Sequence, residues 1–252
     1  MNNIKIIKIN KIKPNIYLNN FNNYIISDIN SLNIKCNNMN KIKKSFNILQ
    51  IDKYHNNNNK NPPTRLRKYF NIDIGIKNEN EYIINFNNDK NIFKQKVEDE
   101  RNIPRKFALI DYEILYSHFM ISYICQICSI LKSIENVKRL NISIHQVRQM
   151  CYPNIISENA PEGIHQDGAD YIVSALVINH NNIKGGVSKI YDLDKNILES
   201  VVLKENKFIF KNDKKLYHYI TPIKCYDDNY LGFRDIIGLD IIMWVLLLLT
   251  QI

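Results

Sequence analysis

The sequence has few cysteines, and they follow no regular spacing. There are five, at positions 36, 125, 128, 151 and 225. An odd number without a repeating interval argues against a disulfide framework and is typical of a reducing compartment. Cys125 and Cys128 fall within an apolar helical pattern, so we interpret their thiols as core packing. A zinc or redox site would require a second pair or a helix N-terminus.

The sequence also lacks a long apolar run. None reaches the roughly 18 residues of a membrane-spanning helix, and the closest, Ile236 to Leu249, is interrupted by Asp240. Residues 1–10 mix lysine with isoleucine and lack the apolar centre and cleavage site of a secretory signal. We therefore expect a cytoplasmic protein without a membrane span. Three interpretations of the apolar tail at 243–252 stay open: packing on the core, an association surface, or a misassigned gene end.

Positive charge is present but is not clustered. The net charge is +9, from 34 basic and 25 acidic residues. A nucleic-acid-binding protein would have its basic residues clustered on one face, whereas these lysines are scattered among asparagines and isoleucines. Lysine, asparagine and isoleucine are all encoded by AT-rich codons. We attribute the charge to biased coding and expect no specific nucleic-acid partner. The exception is Arg65-Leu66-Arg67-Lys68, which is either a solvated strand edge or a site that captures the carboxylate of a co-substrate or substrate.

The chain length fits one domain with a full core, and we expect residues 1–252 to form it. Residues 1–60 are rich in asparagine and weakly patterned, with loose helical spacing from Ile34 to Leu49. The tract Asn56–Asn59 predicts an exposed, mobile loop. We expect residues 1–60 to be dispensable for a functional site and residues 65–242 to form the core.

Apolar periodicity predicts the architecture of this core. Segments 69–74 and 82–86 suggest paired strands, and the apolar positions of 107–137 recur at three and four, as on one face of a helix that packs against a sheet. Short strands are predicted at 141–149, 171–178, 187–191, 200–203, 207–210, 218–220 and 235–242. Regular short strands with turn residues between them predict a jelly roll. The predicted fold class is therefore α+β, a jelly-roll core with N-terminal and flanking helices.

His165 and Asp167 are the most informative residues of the sequence. Alternate side chains of an extended segment point to the same face, so both can contact one metal ion. Gly163 and Gly168 bracket the pair and provide backbone freedom at a strand end. Together with His218, they supply the two imidazoles and one carboxylate of the facial triad that binds non-haem Fe(II). The alternative is that His218 is a surface histidine in a lysine-rich strand.

Several collinear motifs carry a resemblance to a known family. They are Arg65-Leu66-Arg67-Lys68-Tyr69, His145-Gln146-Val147-Arg148, Pro161 to Gly168, Asn182-Ile183-Lys184-Gly185-Gly186, His218 to Ile223, and Phe233-Arg234-Asp235. In this order they resemble the bacterial-type 2-oxoglutarate-dependent iron dioxygenases that include the free L-isoleucine hydroxylases. His180 departs from the family, which often has arginine there, and the segment from Cys225 to Tyr230 lengthens the gap before the last motif.

The resemblance implies a double-stranded β-helix core that uses Fe(II), with 2-oxoglutarate and O2 as co-substrates. The two histidines and the aspartate would be the iron ligands. Arg234 would bind the distal carboxylate of 2-oxoglutarate, because a guanidinium pairs with a carboxylate through two hydrogen bonds and stays charged when desolvated. Thr221 or Tyr219 could add a hydroxyl donor. The alternative for Arg234 is a surface ion pair with Asp235 at a strand start.

Substrate contacts are predicted at Arg148 and Gln146, which share one face of a strand by alternation, and at Arg65. The alternative for Arg148 is that it only caps the sheet. We predict a hydroxylase of a small-molecule substrate, a free aliphatic L-amino acid. Two alternatives stay open: the same chemistry on a protein or nucleic acid, which the positive charge would favour, and a non-catalytic jelly-roll binding module.

Overall fold

The structure is a computed structural model that describes residues 3–8, 21–34, 39–55, 62–78, 81–87 and 90–244. The strands are β1 (Asn3–Lys8), β2 (Tyr24–Asp28), β3 (Gln50–Ile51), β4 (Arg65–Ile76), β5 (Glu81–Phe86), β6 (Ile92–Phe93), β7 (Arg105–Lys106), β8 (Arg139–Cys151), β9 (Tyr171–Asn181), β10 (Ile183–Gly185), β11 (Val187–Tyr191), β12 (Ile197–Val202), β13 (Lys207–Asn212), β14 (Tyr217–Ile220), β15 (Ile223–Cys225) and β16 (Gly232–Met243). The helices are α1 (Met39–Ser45), α2 (Tyr112–Leu115) and α3 (His118–Ile134), and short 3-10 turns span Ile29–Leu32, Phe46–Ile48 and Glu100–Asn102. The predicted Asn56–Asn59 loop and residues 245–252 of the apolar tail lie outside the described residues.

Two antiparallel layers form the body of the molecule. The larger sheet has the strand order β1-β5-β4-β8-β16-β9-β13-β2, with β3 also paired to β4. The smaller layer consists of the sheet β12-β11-β14 and the pair β10-β15, and bridges at Ser157–Ile223 and His165–His218 extend it. Two facing sheets of antiparallel strands are a jelly roll, so the predicted α+β fold is confirmed.

The two faces of strands β8 and β16 have different surroundings. Ile142 and Ile144 of β8 and Ile237 and Leu239 of β16 are buried in the main hydrophobic core. The buried residues of α3 belong to the same core, so this helix covers one face of the larger sheet. Because side chains alternate along a strand, the opposite face of β8 and β16 is free to line a cavity.

The helical pattern predicted for 107–137 corresponds to two helices. The first helix, α2, ends at Leu115, and the Ser117 hydroxyl accepts a hydrogen bond from the Met120 backbone N–H at 3.2 Å, which caps the N-terminus of α3. The start of the predicted segment is extended, since Leu109 forms a β-bridge with Tyr69. Among the described residues, no helix combines the length and apolarity needed to cross a membrane.

The strand predictions agree with the observed strands. β4 and β5 pair antiparallel, with Ile72 opposite Phe86 and Ile74 opposite Ile84. After residue 139, each predicted strand overlaps an observed one. These segments are rich in β-branched and aromatic residues and are bounded by turn residues, which is why their local pattern was sufficient.

The described part of the first 60 residues is built into the core, so the prediction that the core begins at residue 65 is wrong. β1 pairs with β5 and β2 with β13, at the two ends of the larger sheet. Ile29, Leu32, Ile42 and Phe46 are completely buried in the main core. Isolated apolar residues among asparagines form too weak a pattern to predict this, because the strands that they pack against are distant in sequence.

Replacing Leu32 with alanine tests this contribution of the N-terminal region. Because Leu32 is completely buried, we expect its truncation to lower the free energy of unfolding by about 2–5 kcal/mol, as measured by urea denaturation. Leu198 is 44% exposed, and Leu198→Ala is the matched control, with an expected change below about 0.5 kcal/mol. Similar small effects in both variants would contradict a structural role for the N-terminal region.

Candidate active site

A cavity of about 550 Å³ lies between the two layers of the jelly roll. The larger sheet contributes side chains from β4, β8, β9 and β16, and residues 159–167 with β14 contribute to the opposite wall. The charged residues that line it are the cations Lys53, Arg65, Arg67, Arg101, Arg105 and Arg234 and the anions Glu162, Asp167 and Asp240. Cations outnumber anions among these residues, which favours anionic ligands.

His165, Asp167 and His218 converge at one wall of the cavity. Their ligand atoms all lie within 4.8 Å of one another. Carboxylate oxygens of Asp167 are 3.6 Å from His165 Nε2 and 3.5 Å from His218 Nε2. An antiparallel bridge joins the two histidines, with N···O distances of 3.0 and 2.9 Å. Three such donors on one side of a cavity could hold a divalent metal and leave other coordination positions open.

Neighbouring groups orient two of the three candidate ligands, His165 and Asp167. His165 Nδ1 lies 2.8 Å from the carbonyl oxygen of Gly163, and a proton on Nδ1 for this hydrogen bond leaves the Nε2 lone pair for a metal. Asp167 Oδ1 accepts a hydrogen bond from Gln95 Nε2 at 2.8 Å. Burial lowers the pKa of His218 well below its usual value. That imidazole therefore stays neutral, as a metal ligand must be.

Arg234 is a buried cation without an ion pair to any described residue. The residue is 4% exposed, and burial lowers its pKa to about 10. Its Nη2 atom has no hydrogen-bond partner in the described part of the chain. A Cβ atom at Gly186 would lie 3.6 Å from Nη1 and 3.1 Å from Ile223 Cγ2, so glycine at this turn leaves room beside the guanidinium. A buried charge is costly unless it is paired, and an anion in the cavity would lower that cost.

Comparison with known proteins relates this geometry to a family. The family model of the 2OG-Fe dioxygenases matches residues 43–240. The chain belongs to that family. The protein is therefore an Fe(II)- and 2-oxoglutarate-dependent dioxygenase that uses O2. Two imidazoles and one carboxylate are the donor set that Fe(II) takes in oxygenases of this kind, so the residues present fit the metal.

Solved structures share the fold of this dioxygenase. IDO from Bacillus thuringiensis matches with a TM-score of 0.68 at 20% identity, over 88% of this chain and 95% of that one. A bsmA homolog from Methylobium petroleophilum PM1 matches with a TM-score of 0.77 at 14% identity, over 89% and 90%. The Fe(II)/α-ketoglutarate-dependent dioxygenase TqaL matches with a TM-score of 0.65 at 12% identity, over 88% and 83%. No curated protein sequence matches the chain. At these identities the likeness concerns the fold alone.

A buried ion pair holds the backbone of the ligand segment in this dioxygenase. Asp213 Oδ2 accepts hydrogen bonds from the backbone N–H groups of residues 167–169, at 2.8, 2.9 and 3.2 Å. Its Oδ1 accepts one from Lys211 Nζ at 2.6 Å, and both side chains are fully buried. A Cβ atom at Gly168 would come within 2.4 Å of the Lys96 carbonyl oxygen, so a larger residue does not fit this turn.

Gln146 and Arg148 lie on the face of β8 that points away from the cavity, which corrects their predicted role as substrate contacts. Gln146 donates a hydrogen bond to the Ser45 hydroxyl at 2.6 Å. Arg148 donates two hydrogen bonds to Asp235, at 2.6 and 2.8 Å. By alternation, the β8 side chains that line the cavity are those of His145, Val147 and Gln149.

Thr221 and Arg65 differ in their relation to the cavity. The Thr221 hydroxyl accepts a hydrogen bond from the Val187 backbone N–H at 2.9 Å, and this residue does not line the cavity. Its position therefore corrects its predicted role in co-substrate binding. Arg65 does line the cavity, but its Nε donates to Asp52 at 2.8 Å. Burial raises the pKa of Asp52, but the charges of Arg65 and Arg67, together with hydrogen bonds from Arg65 and the Tyr54 backbone, outweigh that effect and the pKa is lowered. The charge of Arg65 is therefore already paired.

Two further residues that line the cavity, His145 and Asp240, are not among the site residues predicted from the sequence, and Arg67 is predicted only as part of the basic segment 65–68. Arg67 Nη2 lies 2.5 Å from His145 Nδ1, and His145 Nε2 lies 3.0 Å from Asp240 Oδ2. Burial, with the Arg67 charge adding to it, lowers the pKa of His145 well below its usual value. The neutral ring therefore accepts a hydrogen bond from Arg67 and donates one to Asp240. Arg105 donates to Gln95 on the same side of the cavity.

Proposed function

We propose that this dioxygenase hydroxylates a free aliphatic L-amino acid. The observation that carries the proposal is a cavity in which guanidinium groups with unpaired donors lie beside the candidate metal ligands. Its volume of about 550 Å³ is typical of small-molecule sites. The unpaired donors favour a substrate with a carboxylate, and the sequence resemblance to free L-isoleucine hydroxylases favours an aliphatic amino acid.

We assign His165, Asp167 and His218 as the Fe(II) ligands and Arg234 as the residue that binds the distal carboxylate of 2-oxoglutarate. When bound, Fe(II) and 2-oxoglutarate supply the O2-dependent hydroxylation of a C–H bond, and 2-oxoglutarate is converted to succinate and CO2. The guanidinium orients the co-substrate through two parallel hydrogen bonds. Burial keeps the His218 imidazole neutral and so available as a donor, and the cavity walls limit the access of water.

A succinate assay tests the substrate class. Fe(II), 2-oxoglutarate and O2 are supplied with isoleucine, leucine or methionine, and separately with the amine that each yields on decarboxylation. We expect the amino acids to stimulate succinate release and the amines to fail, because only the acids carry the carboxylate that an arginine binds. Equal stimulation by the amines would remove the physical basis of the proposal. Stimulation by a peptide and by no free amino acid would favour a protein substrate.

Arg234→Lys is expected to raise the KM for 2-oxoglutarate about tenfold or more, because a hydrogen bond to a charged group contributes roughly 1.5–3 kcal/mol. Lysine keeps the positive charge but loses the planar pair of donors that matches a carboxylate. The KM is measured by succinate release, and Fe(II) affinity by anaerobic calorimetric titration, which should change little.

The exposed Arg139 provides the matched control. Arg139→Lys should change neither the KM for 2-oxoglutarate nor the affinity for Fe(II). If Arg234→Lys altered both quantities equally, or altered neither, Arg234 would be a structural residue.

A further inference from the structure

A second charged group lines the cavity at a distance from Arg234. Arg234 and Asp240 lie on the same face of β16, six residues apart, which corresponds to roughly 20 Å along a strand. Near Asp240, the side chains of Arg67, Arg105 and His145 complete the group. A co-substrate carboxylate bound at Arg234 leaves these charges without a ligand.

Both arginines of this group have donors without a partner. Arg67 is 9% exposed, and its one ion-pair contact with a described residue is Asp52, at 3.9 Å. The Nε atoms of Arg67 and Arg105 are buried and have no hydrogen-bond partner in the described part of the chain. Unsatisfied buried donors are costly, and both belong to residues that line the cavity. An anion in the cavity would satisfy them.

Aromatic rings hold the two guanidinium groups in place. The Arg67 guanidinium carbon lies 4.5 Å from the centre of the Phe107 ring and 5.3 Å from that of Phe93. The Arg105 guanidinium carbon lies 5.1 Å from the centre of the same Phe93 ring. Cation–π contacts of this kind restrict the side chains without consuming their hydrogen-bond donors. The donors are therefore positioned before a ligand arrives.

Asp240 supplies a carboxyl group on the other side of the His145 ring from Arg67. The one hydrogen bond between its side chain and a described residue comes from His145 Nε2, at 3.0 Å. Burial raises the pKa of Asp240 well above its usual value; the nearby Asp167 charge adds to this effect, and the Arg67 charge opposes it. A cation bound beside Asp240 would favour its charged form. The carboxylate therefore has the capacity to bind an ammonium group.

The Arg67 guanidinium and the Asp240 carboxyl group lie close enough for one small molecule to contact both. A single imidazole ring, that of His145, separates Arg67 from Asp240, with hydrogen bonds of 2.5 and 3.0 Å on its two sides. An α-amino acid carries its carboxylate and its ammonium group on one carbon atom. A dicarboxylate or a phosphate would satisfy the arginines but would bring negative charge against Asp240.

We propose that Arg67 and Arg105 bind the carboxylate, and Asp240 the ammonium group, of a zwitterionic α-amino acid. This assignment rests on the proposed function and names the residues that select its substrate. Gln95 links the group to the candidate metal ligands, since it accepts a hydrogen bond from Arg105 and donates one to Asp167 at 2.8 Å. An amino acid bound here presents its side chain near the metal ligands, as side-chain hydroxylation requires.

Asp240→Asn tests the ammonium contact, because asparagine removes the charge and keeps an oxygen that can accept from His145. Isoleucine and leucine are compared with their deaminated acids in the succinate assay. We expect kcat/KM for the amino acids to fall about 30-fold or more, as the loss of a buried charge pair implies, and that for the deaminated acids to fall far less. The measured quantity is the ratio of kcat/KM for an amino acid to kcat/KM for its deaminated acid. A purely structural defect would lower both values together and leave this ratio unchanged.

Arg67→Met tests the carboxylate contact. We expect kcat/KM for the amino acids and for their deaminated acids to fall together, since both carry the carboxylate. Binding is measured independently by calorimetric titration of isoleucine and leucine into protein loaded with Fe(II) and 2-oxoglutarate, without O2. Both variants should weaken binding about 30-fold or more. Asp194→Asn, at an exposed position, is the matched control and should change neither measurement.

Two negative results have different meanings. If the wild type consumes 2-oxoglutarate with Fe(II) and O2, but Asp240→Asn leaves the ratio of amino acid to deaminated acid unchanged, the zwitterion site is wrong and the dioxygenase function stands. If the wild type consumes no 2-oxoglutarate, the proposed function fails. Calorimetric titration then tests the amino-acid site of Arg67, Arg105 and Asp240 separately. If neither isoleucine nor leucine binds, the assignment of this site is wrong.

Discussion

His165→Ala is expected to abolish Fe(II) binding and, with it, O2-dependent turnover of 2-oxoglutarate. The substitution removes one of three donors whose ligand atoms lie within 4.8 Å of one another. The loss should exceed the roughly 10- to 100-fold cost of losing an outer-shell partner of a metal ligand. Fe(II) affinity is measured by anaerobic calorimetric titration, and turnover by succinate release without an added amino acid.

The fold should survive this substitution, because the bridge between residues 165 and 218 uses backbone atoms. The thermal unfolding temperature of His165→Ala should therefore stay near that of the wild type. His180 is exposed on β9, and His180→Ala is the matched control with unchanged metal binding. Full turnover in His165→Ala would show that the ligand assignment is wrong.

Lys211→Met is expected to destabilise the protein by about 3–5 kcal/mol, because removing one partner of a buried ion pair leaves the other charge uncompensated. Lys211 and Asp213 are both fully buried, with 2.6 Å between Nζ and Oδ1. Lys211 Nζ also donates to the Leu216 carbonyl oxygen at 3.1 Å, so a second acceptor loses its partner. The free energy of unfolding is measured by urea denaturation.

Lys207→Met is the matched control on the same strand. Lys207 pairs with Asp28 at 3.5 Å, and both side chains are substantially exposed, so its loss should cost less than about 1 kcal/mol. We also expect Lys211→Met to weaken Fe(II) binding, since Asp213 anchors the backbone of residues 167–169. Equal stabilities of the two variants would contradict the role of the buried pair.

The candidate metal ligands illustrate what local spacing can predict. His165 and Asp167 share a face because side chains alternate in an extended segment, and that relation needs no knowledge of the fold. His218 could be proposed from its strand and its position along the chain. Its convergence with His165 depends on an antiparallel bridge between distant segments, which local spacing does not specify.

Strand β8 illustrates where local spacing stops. Alternation divides its residues into two sets, with Gln146 and Arg148 on one face and His145 and Val147 on the other. Both sets contain polar residues, so composition did not distinguish the cavity face from the opposite one. Contacts with other elements determine which face lines the cavity. Gln146, on the face away from the cavity, donates a hydrogen bond to the hydroxyl of Ser45 at the end of α1.

The buried pair of Lys211 and Asp213 had a weak local signal. The two charges stand at alternate positions directly after the apolar segment Phe208–Phe210, and such a pair is more commonly solvated than buried. Their burial follows from the position of β13 within the larger sheet, between β9 and β2. β2 comes from the asparagine-rich N-terminal region, whose sequence pattern predicts a position outside the core.

By itself, the sequence determined the order of the strands, the shared face of His165 and Asp167, and the family of the chain. All three depend on the alternation of side chains and the order of motifs along the chain. Only the tertiary structure determined which buried polar side chains contact one another. Arg67 reaches His145, and His145 reaches Asp240, across the neighbouring strands β4, β8 and β16. Local spacing fixes the relative directions of neighbouring side chains, whereas strand register and the covering layer determine the partner of each buried charge.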